Sequence, residues 1–170
     1  MQHRAETKDA VPCRARRNGR GTSAEGTSAL EFALVLPVLL AIAFGLVELG
    51  NMVFISAAMD KAAQVGARTA VTGEGVGDGS RLALVIQAAR SVAEPAAGTL
   101  PVSVLVRSWP GTDASAEGAE NDAGSPCGMV EVEVRCDYHP ITPIVGDMLP
   151  DPIILRGRGR MVNEPWMPCS

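Results

Sequence analysis

Two carboxylates stand where a lipid bilayer would oppose them. Glu31 opens a long apolar run, and Glu48 interrupts that run further on. An ionised side chain near the centre of a membrane costs about 3 kcal/mol on insertion scales. Each acid therefore calls for a cation, a set of hydrogen-bond donors, or a place at the interface. Glu31 follows Gly26 by five residues and directly precedes Phe32. In the first turn of a helix it would gain about 0.3–1 kcal/mol from the helix dipole. Other reactive side chains are sparse: Asp137 lies near His139, Cys127 and Cys136 bracket a valine-rich segment, and Cys169 is close to the C-terminus. One histidine beside one aspartate, with no nucleophile motif and no ligand cluster, makes a poor catalytic site. The chain is expected not to be an enzyme and to need no cofactor or metal, with His139-Pro140 simply ending a strand.

The element that positions both acids is a helix. Residues 32–59 contain a single formal charge, Glu48, and residues 32–47 carry no polar side chain. As a helix this stretch would reach about 42 Å, against about 30 Å of hydrocarbon. Nothing else in a chain of 170 residues could enclose so long an apolar helix, so a membrane span over about residues 32–52 is expected. Pro37 falls inside it, and lipid-embedded helices tolerate proline where neighbours cover the freed carbonyl. Glu48 would sit about 24 Å along from Phe32. It is read as a boundary residue snorkelling to the outer interface rather than as a buried pairing site.

Charge sets the orientation. Residues 1–25 hold six Lys/Arg against three acids, whereas residues 49–170 hold nine basic and fourteen acidic side chains. The positive-inside rule then places the N-terminus in the cytoplasm and the C-terminal part outside. A net charge of −4 gives no case for a nucleic-acid partner. A cleaved secretory signal fits poorly, because the apolar core is too long and begins with an acid. The Arg16-Arg17 pair lacks the rest of a twin-arginine motif.

Beyond the span the helix is expected to continue to about residue 71. Ala58, Ala62, Gly66 and Ala70 recur at four-residue spacing, a small-residue stripe suited either to a neighbouring helix or to the chain's own globular part. The glycines of "TGEGVGDG" end the helix, and Glu74 and Asp78 argue against a phosphate loop there. A second helix is expected over 80–97, capped by Ser80, with strands over 100–108, 129–138 and 152–162. The glycines of the last weaken it as a strand. Residues 109–128 read as a mobile acidic loop without the spacing of a calcium site. Tyr138 and Trp166 read as packing anchors. The fold class is α+β: a long N-terminal helix followed by a small helix-plus-antiparallel-sheet domain over 72–170. If the third strand returns antiparallel beside the second, its exit lies near Cys127; this predicts a Cys127–Cys169 disulfide and an unpaired Cys136.

The stretch "GTSALEFALVLPVLL", preceded by a basic leader, resembles the processing site of type IV prepilins: glycine, four residues, glutamate, then an aromatic. With "EFALVLPVLLAIAFGLVELG", "AAQVGAR" and the C-terminal "VEVEVRCDYHPITPIV" and "GRGRMVNEP", residues 26–165 resemble the TadE-like pseudopilins of tight-adherence (Flp) pilus systems. The resemblance implies that prepilin peptidase cuts after Gly26, removes residues 1–26 and leaves Thr27 as the new N-terminus. It implies as partners the peptidase, other pilin or pseudopilin subunits, inner-membrane assembly proteins and membrane lipid. Glu31, beside Phe32, would then meet the Thr27 ammonium of a neighbouring subunit as an assembly contact; an interfacial glutamate among headgroups is the alternative. An uncleaved single-span anchor presenting a ligand-binding domain is the competing function.

Overall fold

The structure, a computed structural model, describes residues 24–142, 146–147 and 149–169. Residues 1–23 of the basic leader, Cys13 among them, therefore lie outside the described residues. The chain divides into two units, residues 1–39 and 40–170. In the first, the described residues belong to helix α1 (Ala24–Val71), whose large apolar side chains Leu30, Phe32, Leu34, Val35, Val38 and Leu39 are all exposed. α1 runs through Pro37 and is long and apolar enough to cross a membrane.

The second unit contains the rest of α1, helix α2 (Arg81–Ala97) and four strands: β1 (Val102–Trp109), β2 (Ala119–Glu120), β3 (Met129–Tyr138) and β4 (Ile153–Val162). The strands form one antiparallel sheet in the order β2-β1-β3-β4. The architecture is α+β. Alternation along the strands sends one set of side chains inward and the other outward. Val106, Val130, Val132 and Val134 are fully buried, and they meet Met59, Ala63 and Ala67 of α1 and Val85, Ala89 and Ala93 of α2 in one core.

This core is thin because its helices come close to the sheet. A Cβ placed on Gly157 would fall onto the backbone of Met59, and one on Gly159 would come within 2.5 Å of the Ala63 carbonyl oxygen. The glycines that weakened β4 as a sequence pattern are thus the places where the α1 backbone lies directly on the strand. Gly in a strand marks such close approaches. β4 is a full ten-residue strand with Arg156, Arg158 and Arg160 on its outer side.

Two local expectations are corrected. Ser80 stands at the N-cap of α2 but makes no side-chain cap; its hydroxyl donates instead to Asp78 at 2.7 Å. The 109–128 segment is tied down rather than loose. Trp109 Nε1 donates to the Ala116 carbonyl at 2.8 Å, Gly118 packs beneath the Trp109 ring, and β2 pairs with β1. The Ser108 hydroxyl donates to Asp122, and Asn163 donates to the carbonyls of Ala123 and Ser125.

Candidate functional site: the long helix and its attachments

Gly26 and Thr27 are both helical, within α1 (Ala24–Val71). Glu31 and Phe32 follow one turn later, both exposed. Thr27 and Glu31 are four residues apart and so share a helix face. These residues are all carried on the unit of residues 1–39.

The small-residue stripe has a different fate. Ala62, Gly66 and Ala70 are buried and Ala58 is half-buried against the same core. A Cβ on Gly66 would meet Ala89 of α2 and Val132 of β3, each at 3.1 Å. Of the two uses open to the stripe, packing within the chain's own domain is the one it serves here: it lets α1, α2 and the sheet approach at one point.

Glu48 departs from its sequence reading. It is only 1% exposed, so it does not snorkel. Tyr138 donates its hydroxyl to Glu48 Oε1 at 2.5 Å. The backbone N–H of Ile141 reaches Oε1 at 3.0 Å, and the N–H and hydroxyl of Thr142 reach Oε2 at 3.1 and 3.0 Å. Asn51, one turn along α1, donates to the Tyr138 hydroxyl at 3.0 Å. A buried carboxylate is tolerated when donors surround it; here the segment just past β3 supplies them. The signal in the sequence was the run Tyr138-His139-Pro140-Ile141-Thr142, which offers two hydroxyls and unpaired backbone N–H groups where a strand ends. Nothing in the sequence linked that run to Glu48.

The far end of α1 is held by an arginine. Arg81, largely buried, donates to the Ala70 carbonyl at 2.7 Å and to the Gly124 carbonyl, and its guanidinium lies 4.4 Å from the Trp166 ring centroid. A cation suits the negative end of a helix, and Asp122 supports its charge against the cost of burial. Trp166 covers Gly73, whose φ of +68° requires glycine, and Glu164 N–H bonds the Val71 carbonyl at 3.1 Å. Cys127 and Cys169 form a disulfide with Cα atoms 5.7 Å apart. Cys136 is free and buried, and burial pushes its thiol up, away from reactivity. His139 meets Asp151 at 2.5 Å rather than its sequence neighbour Asp137.

On the outer sheet face the acids of β3 are enclosed by arginines. Glu133 lies 2.8 Å from Arg135 and 3.6 Å from both Arg107 and Arg158, while Glu131 is bonded by Arg160. Burial opposes ionisation of Glu133, but the hydrogen bond from Arg135 and the charges of Arg135, Arg158 and Arg107 outweigh it and hold the carboxyl below its usual value.

Residues 26–68 match the sequence model of a protein family described as TadE-like protein. The match starts at the glycine of the processing pattern and ends within α1, so the sheet strands that also suggested this family lie beyond it. Comparison with curated proteins and with solved structures gives no match. Along the helix that bears Gly26, Glu31 and the small-residue stripe, the chain is thus similar to TadE-like proteins.

Proposed function

We propose that this protein is a minor pseudopilin of a Tad (Flp) pilus assembly system, acting in pilus assembly or surface adhesion. Prepilin peptidase cuts it after Gly26, leaving Thr27 at the head of a helix anchored in the cytoplasmic membrane. The N-terminus faces the cytoplasm and the 72–170 domain lies outside. The observation that carries this reading is the coincidence of the Gly26…Glu31-Phe32 pattern with the start of an exposed apolar helix in the segment that matches the TadE-like family. Gly26 lies in a helical turn of α1, and glycine costs a helix about 1 kcal/mol relative to alanine. That turn opens easily, as a peptidase that takes extended backbone requires. The amine released on Thr27 has a carboxylate available in Glu31, on a neighbouring subunit or one turn along its own helix. The partners are the peptidase, other pilin or pseudopilin subunits and inner-membrane assembly proteins; the role is structural rather than catalytic.

The test is the mature N-terminus of the protein recovered from native membranes, read by mass spectrometry. Thr27 as first residue supports the pseudopilin. A chain that keeps its arginine-bearing leader is an uncleaved anchor presenting its domain to an external ligand.

A further inference from the structure

We propose that the segment following β3 is a second membrane contact. Ile141 lies against the acyl chains of the outer leaflet, at the depth of Glu48, where it covers that acid from lipid. The inference goes beyond processing and assembly, and rests on α1 crossing a lipid bilayer.

The argument starts from where the apolar surface of α1 stops. Leu46, Val47, Leu49, Val53 and Phe54 are all more than half exposed, and the next charged residues, Asp60 and Lys61, are exposed in their turn. The lipid-compatible surface therefore runs from Phe32 to Phe54, about 33 Å of helix, which suits about 30 Å of hydrocarbon. A span that ended at Glu48 would cover about 24 Å and leave Leu49, Val53 and Phe54 as a patch in water. With the longer span, Glu48 falls about 9 Å short of its outer end.

The donors to Glu48 must lie at that same depth. The Ile141 and Thr142 N–H groups bond the carboxylate directly, which pins the segment against the helix below Phe54. Both of these N–H groups are used by Glu48, while the Ile141 side chain itself is 70% exposed. An aliphatic side chain left exposed at that level continues the apolar belt of α1. The His139–Asp151 contact closes the segment, and the exposed Asp147 and Asp151 keep its return limb among the headgroups. The acid is thereby shielded from lipid by hydrogen-bonded protein, the condition under which irregular backbone is tolerated at membrane depth.

The experiment uses the full chain, with Cys13→Ser, in phosphatidylethanolamine–phosphatidylglycerol vesicles. A polarity-sensitive fluorophore is attached at Ile141→Cys, at Leu39→Cys in the span, or at Asp113→Cys in the 109–128 segment. Buried Cys136 and the disulfide are spared under native labelling, and Ile141→Cys leaves the backbone bonds to Glu48 in place. Lipids brominated on the acyl chain are expected to quench the Leu39 and Ile141 probes several-fold more than the Asp113 probe, with blue-shifted emission at Ile141. If Ile141 behaves like Asp113 while Leu39 is quenched, the membrane span stands and the second contact is overturned. If Leu39 also escapes quenching, the bilayer anchoring fails and this inference with it.

Discussion

The carboxylate of Glu48 accepts a hydrogen bond from the hydroxyl of Tyr138, 90 residues later in the chain, at 2.5 Å. This contact joins the apolar helix to the end of the central strand. It also turns a costly buried charge into the point where the segment after β3 is fastened. Removing a donor from a charged, buried acceptor costs about 1.5–3 kcal/mol. Tyr138→Phe keeps the ring and loses only the hydroxyl, so it is expected to destabilise the domain by about that amount. Glu48→Ala strands the N–H groups of Ile141 and Thr142 as well and is expected to cost more. Denaturant unfolding of the full chain in micelles checks the order; a Tyr138→Phe protein with the wild-type midpoint would show that the bond contributes nothing.

The close seating of α1 on β4 gives a sharper contrast. Gly157→Ala places a methyl group on the Met59 backbone, which cannot yield without lifting the helix. A loss of about 1–3 kcal/mol or more is expected from such overpacking. Gly77→Ala, where nothing lies within 4 Å, is expected to change stability little. Equal midpoints for the two variants in thermal unfolding would refute the close approach.

The outer face should respond to acid. Because the folded protein holds Glu133 below its ordinary value, its contribution is fully present above the unfolded-state value of about 4.3 and is lost as pH falls through the lower folded value. Unfolding midpoints are expected to drop below about pH 4 in the wild type and to drop less in Glu133→Gln. Salt is expected to blunt the difference only in part, since the carboxylate is 1% exposed although its arginines reach solvent. Parallel pH curves for the two proteins would remove Glu133 from the account.

For the proposed assembly contact, Glu31→Ala is expected to insert in the membrane normally and to reduce piliation. Membrane fractionation and electron microscopy of the cell surface read the two separately. Normal piliation would leave Glu31 as an interfacial residue among headgroups.

Much of the architecture was legible because it is written in local pattern. The alternation of Val130, Val132 and Val134 marks β3, the glycines after Val71 end α1, and the apolar run from Phe32 announces a span. These signals need only neighbours within a few residues, since strand and helix periodicities are local properties of the backbone. The Gly26…Glu31-Phe32 pattern is local too, and the family match begins at that glycine. What sequence reading missed depends on partners far along the chain. The 109–128 segment looks loose until Asn163 and Trp109 pin it, and the β4 glycines look like weak points until the Met59 and Ala63 backbones occupy the space.

By itself, then, the sequence determined that this chain has a long apolar helix headed by a glycine–glutamate pattern and followed by a small α+β domain. Hydrophobic periodicity and turn chemistry act over short range and so can be read in one dimension. Only the tertiary structure decided where Glu48 goes. Whether a carboxylate snorkels or is buried depends on whether donors reach it, and those donors, on Tyr138, Ile141 and Thr142, are brought to it by the folding of the sheet.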